Sequence, residues 1–126
     1  MYSRDSDVIK PTINGAAIAT INANANSDAI DLGQYIEAIV FLPVTANTGT
    51  TPTLDCKIQY SPNYNPALPS AANWVDSGDT FTQITTVNAT TFKKLTANFG
   101  RWVRLVFTVG GTNPVYTVVP HVVAKQ

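Results

Sequence analysis

The chain is predicted to be all-β: an antiparallel two-sheet sandwich of jelly-roll or related Greek-key type, with about eight strands and an extended N-terminal arm. Three observations predict this fold. Short apolar runs rich in Val, Ile and Phe are cut throughout by Gly, Pro, Asn and Asp. Residues 99–124 alternate like strands around a Gly-Gly-Thr-Asn-Pro stretch that is typical of a hairpin reversal. No segment shows a convincing helical period, and 126 residues are enough for one domain with its own core.

The N-terminal residues differ in kind from the rest. Residues 1–16 hold four of the chain's sixteen charges and show no sustained period, so they are predicted to form an arm, with a single sandwich domain over residues 17–126. Tyr2, Val8 and Ile9 are the apolar residues with which the arm could anchor on a partner. Residues 17–32 predict one edge strand and the start of another, with an Asn-Ser-Asp turn signal between them.

The middle of the chain predicts two strands and a loop. Residues 35–44 are an apolar run that indicates a strand covered on both faces, and residues 45–53 are turn formers that indicate a connection. Residues 54–60 alternate cleanly and predict a half-buried antiparallel strand. Residues 61–73 contain three prolines and predict a surface loop.

Short strands at residues 74–76, 80–85 and 91–97 are expected next, before the closing hairpin with its reversal at residues 110–114. Val103, Leu105 and Phe107 share one face of the first hairpin strand, and Trp102 lies on the other. Arg101 and Arg104 are expected to project from opposite faces, which argues against one shared basic site.

The amino-acid composition limits which partners and which cellular location are expected for the chain. The formal net charge is zero and the pI about 6.5, so neither nucleic acid nor an anionic membrane is expected as a partner. No stretch is long and apolar enough to span a bilayer. Acids stand where a signal peptide would have its apolar core, which predicts synthesis in the cytoplasm. Only 13% of residues are charged, against ~25% in ordinary domains. Such a surface suits a protein packed in an assembly, or an ordinary Thr- and Asn-rich domain.

The chain offers few side chains that do chemistry. His121, the only histidine, is predicted to be a strand side chain, and Cys56 lies on an apolar face and is expected to be buried. We therefore expect no catalytic residue, no cofactor and no metal, and the chain is not expected to be an enzyme. Weak calcium binding stays open, because the pairs Asp28/Asp31 and Asp76/Asp79 could flank a loop site, although neither matches a calcium loop.

Aromatic residues cluster around the proline-rich loop. Tyr64 lies in it, Trp74 follows it, and Trp102 lies on the less apolar face of its strand. Three interpretations stay open for these side chains: core packing, anchoring in a protein interface, and stacking against a sugar ring.

The order of Trp74, a Phe-Thr-Gln-Ile stretch at 81–84, Gly-Arg-Trp-Val-Arg at 100–104 and Gly-Gly-Thr at 110–112 resembles small β-sandwich virion proteins of tailed bacteriophages. Some of these look like head decoration, or cement, proteins, which sit on the capsid exterior. The resemblance implies a decoration protein on the virion capsid surface, with the major capsid protein as partner and a homo-oligomer, preferably a trimer. Its interface is expected to include Tyr2, Val8, Ile9, Tyr64, Trp74 and Trp102. A carbohydrate-binding module of a head or tail fibre and a neck or tail connector are the alternatives.

Overall fold

The computed structural model describes residues 6–87, 90–95 and 99–126, and these form eleven strands and one 3₁₀ turn at Pro69–Ala71. The strands are β1 (Ser6–Ile9), β2 (Thr12–Ile13), β3 (Ala16–Ala17), β4 (Thr20–Ile21), β5 (Ala25–Asn26), β6 (Ile30–Asp31), β7 (Glu37–Ser61), β8 (Val75–Thr80), β9 (Thr90–Lys94), β10 (Trp102–Val118) and β11 (His121–Lys125). All the pairs between them are antiparallel. The prediction of an all-β, antiparallel chain is confirmed. No helix of the described residues is long and apolar enough to cross a membrane.

Nine strands hydrogen-bond into one sheet. Its main path is β1-β11-β7-β10-β4, and β5 and β6 also pair with β10, while β8 and β9 also pair with β7. The strands β2 and β3 form a separate two-stranded sheet. The strand count exceeds the predicted eight partly because residues 17–32 contribute three two-residue strands that all pair with β10.

The strand β7 runs without interruption through 25 residues. Its first residues pair with β11 and β9, and residues 44–61 pair with β10. The prediction of a connection at residues 45–53 is therefore wrong, since these turn formers lie inside a strand. One strand thus links two parts of the sheet.

The strand β10 is equally continuous, so the predicted reversal at residues 110–114 is also wrong. Those residues lie in register with the turn formers of β7, and β11 pairs with β1 and β7 instead of folding back on β10. The two turn-like segments meet at register shifts. Gly49 and Thr51 on one strand, and Gly111 and Asn113 on the other, have φ of +110°, +46°, +96° and +50°. The residues that resemble turns supply the left-handed backbone that β-bulges require.

Between residues 61 and 97, some of the predicted strands and loops are confirmed and others are wrong. Residues 77–79, expected as a turn, lie within β8, and in residues 81–85, expected as strand, only an isolated bridge from Ile84 to Leu54 forms. Residues 91–94 are strand as predicted, and residues 96–97 lie outside the described residues. The proline-rich segment after Ser61 is a mostly exposed loop, which confirms that prediction.

A single cluster of buried side chains forms the core. Strand alternation builds it: inward residues of β7, β10 and β11 are buried, and their neighbours in sequence face outward. Cys56 is 3% exposed, as expected, and Tyr116 is fully buried. Among the largest fully buried side chains are Phe107, Ile21, Leu32, Leu42, Leu54, Ile58 and Leu105.

The described part of the predicted arm contacts the body of the chain. The strand β1 pairs with β11, and Ile9 and Ile13 pack against the core cluster. The β2–β3 hairpin is held by Asp28, whose carboxylate accepts hydrogen bonds from Thr12 Oγ1 at 2.6 Å and from the backbone N–H of Gly15 at 2.8 Å and of Asn14 at 3.0 Å.

Candidate functional site

Two surfaces of the described residues stand out on the side of the sheet that faces away from the core. One is an apolar patch on the β1–β11–β7–β9 part of the sheet. The other is a group of aromatic and arginine side chains beside the proline-rich loop. Strand register brings together most of the residues of each surface.

The outer apolar face consists of Val8, Ile39, Phe41, Phe92 and Val123. Val8, Val123 and Ile39 lie in one register row across β1, β11 and β7, and Phe41 and Phe92 lie in another across β7 and β9. Because alternate residues point to opposite faces, and Ala38, Val40 and Leu42 are buried, the intervening Ile39 and Phe41 point outward.

This face is open to solvent in the single chain. Val8 is 62% exposed and Phe92 58% exposed, while the other three residues are half-buried. The rings of Phe41 and Phe92 contact each other with centroids 5.9 Å apart. The sequence predicted the strand at residues 35–44 to be covered on both faces, but in the isolated chain only one face is covered. Contiguous exposed apolar surface is typical of interaction sites, so this face is one candidate functional site.

The aromatic–arginine cluster consists of Tyr64, Trp74, Trp102, Arg101 and Arg104. The ring of Tyr64 lies between the two indoles, with centroids 4.8 Å from Trp102 and 5.9 Å from Trp74. All three rings are half-buried. Three of the aromatic residues singled out in the sequence therefore come together at one place.

An arginine guanidinium lies over the ring of each indole. The Cζ of Arg101 lies 4.9 Å from the centroid of Trp102, and that of Arg104 lies 4.5 Å from the centroid of Trp74. Strand alternation predicts that Arg101 and Arg104 project from opposite faces and form no shared basic site. That prediction is wrong, because both side chains lie in this cluster. Arg101 precedes β10, so strand alternation does not fix its direction, and its side chain turns toward the neighbouring ring.

Hydrogen bonds fix the surroundings of Arg104. Its Nε donates to Oε1 of Gln59 at 2.9 Å, and Nε2 of Gln59 donates to Oδ1 of Asp76 at 2.8 Å. Lys57 completes the chain with an ion pair to Asp76 at 3.0 Å. The hydrogen bond from Gln59, followed by that from Lys57, holds the pKa of Asp76 below its usual value.

The four aspartates of the two possible calcium pairs are engaged elsewhere. Asp28 binds the β2–β3 hairpin, Asp31 accepts from Arg101 and from the N–H of Gly33, and Asp79 accepts from Tyr60 Oη at 3.5 Å. Asp76 is bound as described above. In the described part of the chain, no group of three or more His, Cys, Asp or Glu side chains is placed to hold a metal ion.

Of the remaining predicted interface residues, the two that the structure describes lie on other parts of the sheet. Val8 belongs to the outer apolar face, and Ile9 packs inward against the core. Tyr2 lies outside the described residues. His121 is a half-buried residue of β11, in register with Phe41 at the border of the outer apolar face.

No protein-family model matches the chain, and no curated protein matches it.

Proposed function

We propose that the chain is a non-enzymatic structural protein that decorates the exterior of a tailed-phage capsid and stabilises it by bridging neighbouring subunits. The major capsid protein is its partner in this proposal, and the assembled virion surface is its location. The resemblance of about residues 28–124 to small phage virion proteins suggests the assembly, and the outer apolar face is the observation that carries the proposal. A capsid decoration protein acts by covering surface, and this chain presents an apolar sheet face that is uncovered in the monomer.

The sandwich arrangement and the trimer are parts of the same proposal. Because β7 is shared, the β1–β11–β7–β9 part of the sheet and the β7–β10 part contribute to one core cluster, which is how a two-layer sandwich is built. A trimer would let three copies contact several capsid subunits at once, so that weak contacts add through multivalency.

Counting copies on capsids tests the proposal. Purified protein is mixed with mature heads of the parent phage that lack it, the heads are sedimented, and bound copies per head are counted. Saturation at hundreds of copies, with heads that then resist heating better, is the expected result. The absence of binding, or about a dozen copies at one vertex, contradicts decoration, and the second result would identify a connector.

Carbohydrate binding is a second candidate, favoured by the three neighbouring rings of Tyr64, Trp74 and Trp102. Sugar rings stack on exposed aromatic faces. However, a guanidinium already lies over each indole and competes for that face. Tyr, Trp and Arg together are the residues enriched at protein-interface hot spots, so the cluster fits a protein partner better. Glycan-array binding that Trp74→Ala abolishes would reverse this preference.

A further inference from the structure

The two arginines of the aromatic–arginine cluster differ in one respect. Arg101 meets the carboxylate of Asp31 in a two-point contact, with Nε to Oδ1 and Nη2 to Oδ2 both at 3.1 Å. Arg104 contacts no carboxylate among the described residues, and its one hydrogen bond there joins its Nε to Gln59. The cluster thus contains one guanidinium that is paired with a carboxylate and one that has no carboxylate partner among the described residues.

Arg104 is nevertheless held in place. Its Cζ lies 4.5 Å from the centroid of Trp74, and Gln59 is itself fixed by Asp76, so that its amide oxygen faces the arginine. Arg104 is half-buried, and this burial lowers its pKa. A guanidinium has five N–H donors, and Gln59 uses one of them. The two terminal Nη groups make no hydrogen bond within the described residues, and they belong to a side chain that Gln59 and Trp74 already hold in place.

The geometry around Arg104 indicates which kind of anion fits its guanidinium. A planar guanidinium binds a carboxylate through two parallel N–H···O bonds, and such charge-assisted bonds are stronger than neutral ones. A nucleic-acid phosphate is the poorer fit, since the chain has zero net charge and the neighbouring cations Arg101 and Lys57 are paired with Asp31 and Asp76.

We propose that Arg104, backed by Trp74 and Gln59, is a docking site for the carboxylate of an Asp or Glu side chain on the partner protein. This inference rests on the proposed function for the identity of the partner, but the site itself is a property of the chain. The carboxylate takes the place that Asp31 occupies on Arg101. Desolvation by the surrounding rings of Tyr64 and Trp74 strengthens the ion pair once the interface closes.

The side-chain Nε–Hε signals of the full-length protein, followed by NMR, test the site without any phage component. The probe is the tripeptide acetyl-Ala-Glu-Ala-amide in the millimolar range, with acetyl-Ala-Gln-Ala-amide as the matched uncharged probe. We expect a saturable shift of the Arg104 signal with the glutamate peptide, little change with the glutamine peptide, and little change of Arg101 with either. Parallel, non-saturating shifts of both arginines would overturn the proposal, and so would an equal saturable shift with inorganic phosphate.

Variants connect the site to assembly. Arg104→Lys keeps the charge and removes the planar fork, and Arg101→Lys is the matched control. Affinity for heads is expected to fall about tenfold or more for Arg104→Lys and to change little for Arg101→Lys. Equal affinities for wild type and Arg104→Lys would contradict the docking role. If the wild type does not bind heads at all, the proposed function fails, whereas the peptide titration still decides whether Arg104 binds a carboxylate.

Discussion

Individual side chains show how burial controls chemical behaviour in this protein. The thiol of Cys56 lies in the core between β-strand neighbours that are fully buried, Leu54 and Ile58. Burial raises the pKa of this thiol far above its usual value, since the thiolate would have no water around it. The nucleophilic form is therefore scarce, and reagents cannot reach the sulfur.

Cys56 is therefore expected to resist maleimide labelling in the folded protein. The labelling rate should follow global unfolding, rising steeply through the urea transition as measured by mass spectrometry. Rapid labelling in native buffer would contradict the burial of the thiol. A Cys56→Ala variant gives the background level of modification.

Tyr116 combines full burial with a specific hydrogen bond, because its Oη donates to the carbonyl oxygen of Ile84 at 2.8 Å. Tyr116→Phe leaves that carbonyl without its donor, and the free energy of unfolding should fall by about 1–2 kcal/mol. Urea titration measures the change. Tyr35→Phe is the control, since Tyr35 hydrogen-bonds to Asp7 in an exposed position, and it should cost less than about 0.5 kcal/mol. Equal losses in the two variants would argue against a role for the buried hydroxyl.

At the scale of elements, the bulged middle of the β7–β10 pair explains why the predictions of a connection at residues 45–53 and a reversal at residues 110–114 were wrong. Gly, Asn, Thr and Pro at residues 45–53 and 110–114 indicate turns when each segment is considered alone. The two segments instead lie opposite each other, where bulges on both strands use the same backbone conformations. Local composition cannot distinguish a turn from a bulge, because the difference is a partner strand far away in sequence.

A glycine comparison tests this arrangement. A Cβ on Gly111 would lie 2.5 Å from the carbonyl oxygen of Thr51, whereas a Cβ on Gly78, also at positive φ, has nothing within 4 Å. Gly111→Ala should therefore lower the free energy of unfolding by about 2 kcal/mol or more. Gly78→Ala should lower it by about 1 kcal/mol, because only backbone strain opposes the new side chain there. Urea unfolding of both variants gives the comparison. Equal losses would mean that Gly111 lies in an open turn.

The N-terminal hairpin depends on one carboxylate. Burial alone would raise the pKa of Asp28, but the hydrogen bonds from Thr12, Gly15 and Asn14 outweigh it and hold the pKa below its usual value. Because the unfolded chain then binds the proton more tightly, Asp28 contributes stability at neutral pH. That contribution declines below about pH 4 and is lost as pH falls through the folded-state pKa.

Asp28→Asn should therefore destabilise the protein at pH 7 and flatten its loss of stability between about pH 5 and pH 2. Urea unfolding at several pH values measures this slope. Some slope remains in the variant, because the pKa values of Asp31 and Asp76 are also lowered. An unchanged slope would show that Asp28 does not make these hydrogen bonds in solution.

Strand content and the inward-facing residues could be predicted from sequence, because alternation at residues 54–60 and 102–109 is a local signal. The aromatic–arginine cluster could be predicted only in its parts. The proline-rich loop marked Tyr64 and Trp74, but the pairing of β7 with β10 and β8 brings Gln59, Arg104 and Asp76 together. The outer apolar face was hidden for a similar reason, since a strand apolar on both sides indicates burial when its neighbours are unknown.

At the scale of the whole molecule, the outer apolar face is the surface on which the proposed capsid contact depends. Val8→Ser combined with Phe92→Ser removes its two most exposed apolar side chains without touching the core. We expect the double variant to keep its circular-dichroism spectrum and its urea midpoint and to lose head binding. Thr20→Ser with Thr108→Ser, exposed strand positions away from this face, provides the matched control. Normal head binding by the Val8/Phe92 variant would exclude this face from the capsid contact.

The pairing pattern also determines when the chain can fold during its synthesis. The strands β4, β5 and β6 all pair with β10, and β1 pairs with β11, the last strand of the chain. A ribosome therefore synthesises the chain as far as β10 before β4, β5 and β6 find their partners, and as far as β11 before β1 does. Folding is expected to wait for β10 and β11 and to be governed by slow, non-local contacts. A nascent chain arrested before residue 102 should remain sensitive to protease, because β7 then lacks the strand with which most of its residues pair.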